Sequence, residues 1–321
     1  MGYYDDLSDY SSHGEGSESE EEERPSNGSA TKRTTLTSSE ESIPSSSLRC
    51  VLHVDVDCFY CQCEMIDRNI PEDRPFAIGQ KHIIVTCNYA ARRLGVKKLE
   101  LRERAYAKCP NLLILEGSDL TRYRIHARKI YDVFRKHCKN ISRHLPVAKG
   151  SMDEMMADLT LACHVNPHDQ DFPNDHNVYI YGDRGQEQTT LTEDQTGDSV
   201  RVVENINHLS SNHDHVAAAQ LQKAASLAAQ IRASILRETG FRVTMGVSSN
   251  PLLAKLASGL KKPGTVNLLY PWRSAQLLDH LPLRKLHGAG RKTLQVLQPC
   301  LSKRFPERRE PIVWTCRYVI V

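Results

Sequence analysis

Val51-Leu-His-Val-Asp-Val-Asp-Cys-Phe-Tyr60 decides the fold. Residues 49–57 alternate apolar and polar and read as a strand, which puts Asp55 and Asp57 on one face and packs Val56 inward. Residues 58–68 change to a helical period, with Phe59, Cys63 and Ile66 on one side. A carboxylate is thus carried to the end of a strand that runs into a helix. Far downstream, Gly150-Ser-Met-Asp-Glu154 lies between two extended arms, 145–149 and 155–159, so Asp153 and Glu154 sit near the turn of a hairpin. Carboxylates from neighbouring strands can converge there, and three together repel unless a cation lies between them. Hard oxygen ligands favour Mg2+ or Mn2+. Two such ions roughly 3.5–4 Å apart clamp an in-line phosphoryl displacement, so the chemistry implied is nucleotidyl transfer.

Around that centre, a second strand is expected at 81–86 and a short helix at 87–94 stopped by Gly95. A helix at 101–109 ends before Pro110, a short buried strand follows at 112–115, and Ser118 or Asp119 caps a long helix to about Lys139. Residues 164–212 are polar, with strand character only at Asn177–Tyr181, and read as a flexible insertion. A helix over 216–238 ends at Gly240, a strand covers 241–245, and a helix covers 250–258. Lys261-Lys-Pro-Gly264 breaks the chain ahead of a smaller helical piece. Strand, helix, inserted segment, hairpin, helix and strand make two βαβ-like halves. They predict an α+β, ferredoxin-like sheet with helices on one face.

The chain of 321 residues has room for two domains, and 42 Lys and Arg against 39 Asp and Glu leave its net charge near neutral. The charge is unevenly spread. Ser17-Glu-Ser-Glu-Glu-Glu-Glu23 lies in a segment, 1–48, with few large apolar residues, which is expected to be disordered. The remaining body is therefore more basic than the total, as suits a phosphate-rich partner. No apolar run approaches the ~20 residues that span a bilayer, and the acidic N-terminus lacks a signal segment. A soluble intracellular protein with reduced cysteines is the expectation. Cys58, Cys61 and Cys63 are close enough to suggest a metal site, against the plainer reading as small buried thiols on a helix.

Five stretches in order resemble the motifs of the Y-family translesion DNA polymerases, over roughly residues 49–298. They are His53-Val-Asp-Val-Asp-Cys-Phe-Tyr60, Thr86-Cys-Asn-Tyr-Ala-Ala-Arg-Arg-Leu-Gly-Val96, Ser151-Met-Asp-Glu154, Gly246-Val-Ser-Ser-Asn-Pro-Leu-Leu-Ala-Lys255 and Leu286-His-Gly-Ala-Gly-Arg-Lys-Thr293. The resemblance implies a palm at 49–70 and 131–259, fingers at 71–130 and a partial helical thumb at 260–298. It implies a template-directed, low-fidelity polymerase acting at damaged DNA in the nucleus. Primer–template DNA and dNTPs would be its substrates, two Mg2+ or Mn2+ ions its cofactors, and replication or repair proteins its further partners.

It also implies roles. Asp55, Asp153, Glu154 and the Val56 carbonyl would hold the ions, with Asp57 and Asp158 structural. Tyr60, backed by Phe59, would be the steric gate under the sugar; without the resemblance both read as helix core. Tyr89, Arg92 and Lys255, with the Thr86 hydroxyl, would cradle the triphosphate. Gln80, Lys81 and Ile83 resemble a segment that, in one branch of the family, narrows the template-base pocket and turns a template purine to its Hoogsteen edge. Gly288 and Gly290 would offer backbone N–H groups to a DNA phosphate; by themselves they fit a tight helix–loop–helix corner as well.

The sequence departs from the pattern at Pro251, where a basic residue is expected. The match fades after Gln298; 299–321 reads as a divergent basic tail, and the family's little finger is expected to be missing. A truncated form is the expectation. Two other readings stay open: a poorly active form that binds DNA or partners, and a cyclase-like nucleotidyl transferase, against which the steric gate and thumb motif speak.

Overall fold

The computed structural model describes residues 48–164, 178–180 and 212–304. Strand β1 (Val51–Val56) leads into helix α1 (Phe59–Arg68), and β2 (Phe76–Gln80) and β3 (Ile83–Cys87) follow as a hairpin. Next come α2 (Tyr89–Arg93), α3 (Arg102–Lys108), β4 (Leu113–Glu116), the long α4 (Thr121–Ile141), and the hairpin β5 (Val147–Lys149) and β6 (Glu154–Asp158). After β7 (Val178–Ile180) come α5 (Asn212–Thr239), β8 (Val243–Ser248), α6 (Pro251–Ser258), β9 (Val266–Leu268), α7 (Ser274–His280) and α8 (Arg291–Arg304).

Two sheets result, one ordered β5-β6-β1-β8-β9-β7 and one ordered β3-β2-β4. β1 lies inside the larger sheet, antiparallel to both β6 and β8. All six of its residues are buried, which fits a strand covered on both faces. Leu52, Val54 and Val56 join one core with Tyr123, Ile130 and Phe134 of α4 and Leu221, Ala225, Ala228 and Ile235 of α5. Alanines along α5 let its backbone lie close to the sheet, and propensity and packing agree over that helix. The other face of β1 presents His53 and Asp55 beneath α6. A second core at the small sheet gathers Ala77, Ile84, Ala91, Ala105 and Leu112. A third is a leucine cluster of α6, α7 and α8 that includes Leu253, Leu277, Leu281 and Leu301.

Local chemistry sets the ends. Asn88 caps α2, its side chain accepting from Ala91 N at 3.0 Å, and Asn250 caps α6 by accepting from Leu253 N at 2.9 Å. Gly240, at φ 77°, ends α5 in the left-handed region. Neither Ser118 nor Asp119 is the cap of α4: that position is Leu120, without a side-chain cap bond, and Asp119 one residue before it accepts from Thr121 N at 2.9 Å.

Several expectations need correction. The strands β2 and β9 were not anticipated, because each is short and flanked by breakers. α1 buries Phe59, Cys61, Cys63 and Glu64, whereas Ile66 is 38% exposed. Glu64 is tolerated inside because Arg68 (2.5 Å), Arg122 (2.6 Å) and Tyr123 (2.9 Å) donate to it. β4 is half-exposed at the sheet edge rather than buried. β8 starts at Val243 because Phe241 turns into the core instead. Of the segment read as a flexible insertion, 178–180 form β7 beside β9; residues 165–177 and 181–211 lie outside the described residues. So do residues 1–47 and 305–321, with the acidic segment and most of the divergent tail.

Candidate active site

The sheet register assembles the acidic centre. Asp55 stands directly opposite Glu154 across β1 and β6, and Val56 N donates to Asp153 O at 2.9 Å. The turn before β6 is tied by its serine. Ser151 Oγ donates to Asp153 Oδ1 at 2.6 Å and accepts from Glu154 N at 3.1 Å, while Gly150 N and Ser151 N donate to Glu154 O. Directly opposed like charges destabilise a sheet, so this pairing needs cations. Lys255 Nζ supplies one, reaching both Glu154 oxygens at 3.0 and 2.7 Å. Lys262 supplies the other, bonded to Asp55 and 3.9 Å from Asp57.

The electrostatics follow from these contacts. Burial pushes the Glu154 carboxyl up, but the His53 ring and the Lys255 ammonium outweigh it and hold its pKa at about 2. His53 Nε2 is 3.8 Å from Glu154, too far to bond, so Lys255 makes the actual hydrogen bonds. Burial, and then the neighbouring Asp55 charge, raise Asp153. Below this pair, His53 Nδ1 lies 2.8 Å from Ser258 Oγ, which itself donates to Lys255 O. The hydroxyl proton is thereby used, so His53 Nδ1–H is the donor.

Asp57 behaves as its structural reading anticipates. It is 1% exposed and accepts from Thr244 Oγ1 at 2.8 Å, Gly264 N at 2.9 Å and Tyr89 OH at 3.2 Å. Burial pushes its carboxyl up, opposed by Lys262. Asp158 likewise bonds Arg49 and Thr160. Tyr89 links Asp57 to α2, where Arg92 stacks over its ring at 4.8 Å and donates to Cys87 O at 3.1 Å. Phe59 is buried against Tyr60, Tyr123 and Phe241, and half-buried Tyr60 meets Tyr123 edge-on at 4.8 Å.

Asp55, Asp153, Glu154 and Lys255 therefore come together, and Tyr89 with Arg92 joins them through Asp57. Thr86 lies half-buried on β3. Gln80, Lys81 and Ile83 sit at the β2–β3 turn, where Gln80 donates to Gly117 O and Lys81 has φ 51°. Gly288, at φ 87°, and Gly290 lie before α8 with open space around them. Among the described residues, these last three groups have no bond to the carboxylates. Sequence reasoning missed Lys262, Ser151, Thr244 and His53. The signal for Lys262 lies in Lys261-Lys-Pro-Gly264, a stretch that by itself reads as a chain break.

Carboxylates held side by side on hard oxygens are a donor set that suits a divalent ion. Among the described residues, no three His, Cys, Asp or Glu side chains stand close enough in this arrangement to enclose one. That includes Cys58, Cys61 and Cys63, of which the last two are fully buried. Lys255 and Lys262 neutralise Glu154 and Asp55. The carboxylates fit a divalent ion in their donor chemistry.

Residues 54–259 match the impB/mucB/samB family. The chain is 34% identical to DNA polymerase iota of Homo sapiens over 256 residues, 79% of this chain and 31% of that protein. It is 32% identical to DNA polymerase iota of Mus musculus over 79% of its own length and 32% of the relative's. It is 27% identical to DNA polymerase IV of Pseudomonas syringae over 78% of its length and 54% of the relative's. The chain thus spans about a third of the length of the two polymerase iota relatives.

Proposed function

The chain belongs to the impB/mucB/samB family, that of the Y-family polymerases, and from that premise we propose that it is a template-directed, low-fidelity translesion DNA polymerase. It adds dNMP from a dNTP to a primer 3′-hydroxyl, in the nucleus, on damaged DNA. The observation that carries the reading is the cross-strand pair Asp55 and Glu154 with Asp153 beside it, faced by Lys255. The strand order β5-β6-β1-β8, with one long helix before β5 and another before β8, supports a ferredoxin-like palm at 49–70 and 131–259. The small sheet with α2 and α3 then makes fingers at 71–130, and residues 260–298 make part of a thumb.

In this reading Asp55, Asp153, Glu154 and the Val56 carbonyl would hold two Mg2+ or Mn2+ ions. Those ions, when bound, supply activation of the primer hydroxyl and neutralisation of the triphosphate. The protein's own groups position and exclude. Lys255, Arg92 and Tyr89, with the Thr86 hydroxyl, cradle the triphosphate by charge and hydrogen bonds. Asp57 fixes Tyr89 through its hydroxyl, and the Asp57 carboxylate is fixed in turn by Thr244 and the Gly264 amide. Tyr60, braced by Phe59 and Tyr123, closes the space a ribose 2′-hydroxyl needs. Gln80, Lys81 and Ile83 cover the template base and favour Hoogsteen pairing of a purine. Gly288 and Gly290 grip a DNA phosphate.

Single-nucleotide insertion opposite each template base, with Mg2+ and with Mn2+, tests the proposal. Parent protein is expected to insert dNMP, and Asp153→Ala to lose insertion while gel shift shows primer–template binding kept. Insertion by Asp153→Ala at the parent rate overturns the assignment. DNA binding without insertion in the parent favours a non-catalytic binding form instead.

A further inference from the structure

Cys58-Phe-Tyr-Cys61 places a C-x-x-C spacing across the first turn of α1. Cys58 precedes the helix at φ 38° and ψ 50°, a left-handed conformation disfavoured for a residue with a Cβ. Its carbonyl accepts from Cys61 N at 2.8 Å. That bond closes the turn and sets the two Cα atoms one helical turn apart, within the span of a disulfide. The environments of the two thiols differ. Cys61 is fully buried, whereas Cys58 is half-buried and lines a cavity of about 130 Å³ shared with Asp57, Gln62, Tyr89 and Arg242. That cavity admits a molecule the size of water or peroxide. Burial, and then Cys58 itself, push the Cys61 thiol well up, so it stays protonated until a partner reaches it.

We propose that Cys58 and Cys61 are an oxidant-sensitive pair, with Cys58 meeting hydroperoxides in the cavity and Cys61 resolving the product as a disulfide. Cys58 sulfur attacks one peroxide oxygen, the O–O bond breaks, and the thiol proton leaves with the departing oxygen as water. Cys58 is then a sulfenic acid. Cys61 sulfur attacks Cys58 sulfur and expels hydroxide, which takes the Cys61 proton and leaves as a second water. Two thiols have been oxidised and one peroxide reduced. Thiols reverse the bond by exchange.

The crosslink would pin the turn that carries Phe59 and Tyr60. Its effect on nucleotide binding rests on the proposed function, whereas the crosslink itself does not.

The test uses the full chain, reduced, desalted, treated with hydrogen peroxide and digested without reductant. Fragment-ion mapping is expected to find a loss of two hydrogens between Cys58 and Cys61 that dithiothreitol restores. Cys61→Ala should abolish that loss and leave Cys58 as a sulfenic acid captured by dimedone; Cys61→Ser serves equally if the alanine variant melts early. No crosslink, or linkage that involves only other cysteines, overturns the proposal. So does a two-hydrogen loss that persists without Cys61. Oxidised protein should bind dNTP several-fold more weakly; a formed crosslink with unchanged affinity sinks the steric-gate reading and leaves the thiol pair standing.

Discussion

Gly246→Ala tests how α6, and with it Lys255, is held over the sheet. A Cβ at Gly246 would lie 2.1 Å from Ala254 O, 2.3 Å from Ser258 N and 3.0 Å from Ala257 C. All three belong to the α6 backbone, so no side chain can rotate away. Attractive contact between carbon atoms begins near 3.5 Å, so the helix must retreat by roughly 1 Å or more. That retreat stretches the His53–Ser258 bond and withdraws Lys255 from Glu154. Overpacking costs about 1–3 kcal/mol, more where backbone must move, and about 3 kcal/mol is expected here. At about 2–4 °C per kcal/mol for a body of this size, the melting temperature falls by about 6–12 °C. Urea and thermal denaturation at pH 7 measure it, with the urea slope unchanged. Gly288→Ala is the control: φ is 87° with nothing within 4 Å, so only backbone strain of about 1 kcal/mol is added. If Gly246→Ala melts no lower than Gly288→Ala, the close crossing is not what holds α6.

Three further outcomes are expected. Lys262→Met should destabilise the protein by about 1–3 kcal/mol, because Asp55 and buried Asp57 lose their neighbouring cation; Mg2+ should recover part of the loss, and a variant as stable as the parent without Mg2+ refutes the contact. Glu154 is depressed from 4.5 to about 2, so its contribution is full above pH 4.5 and drains as pH falls towards 2. The gap corresponds to at most about 3 kcal/mol, less after solvent screening. Urea midpoints from pH 5 to 2 should therefore fall more steeply in the parent than in Lys255→Met; parallel curves would show that Lys255 does not set the carboxylate. Tyr60→Ala should raise ribonucleotide insertion at least tenfold relative to deoxynucleotide in primer extension, and an unchanged ratio rules out the gate.

The strands that carry the carboxylates were legible because their signals are local. Apolar alternation ending in Asp55, and a glycine turn ahead of Asp153 and Glu154, each announce themselves within a few residues. Asn88 and Asn250 were less visible as caps, although both stand just ahead of a helix. What failed to show depends on partners remote in sequence. β9 is three residues long and exists because β8 and β7 flank it. Ile66 fits the helical period of α1, yet a buried Glu64 takes its place because arginines from two helices neutralise it. Lys262 reads as part of a chain break; only the folded chain brings it to Asp55, 207 residues away. The side chains that tune the carboxylates are thus harder to read than the carboxylates themselves.

The neighbours of β1 emerge late from the ribosome. β6 begins at Glu154 and β8 at Val243, so at about 5–20 residues per second the strand waits on the order of 10–40 s for its last partner. During synthesis Val51, Leu52, Val54 and Val56 form a sticky, unpaired ribbon, and non-local pairing of this kind is slow to form. A nascent chain arrested before β8 is complete should be captured by chaperones and cut by proteases. It should become resistant only once that strand has cleared the exit tunnel.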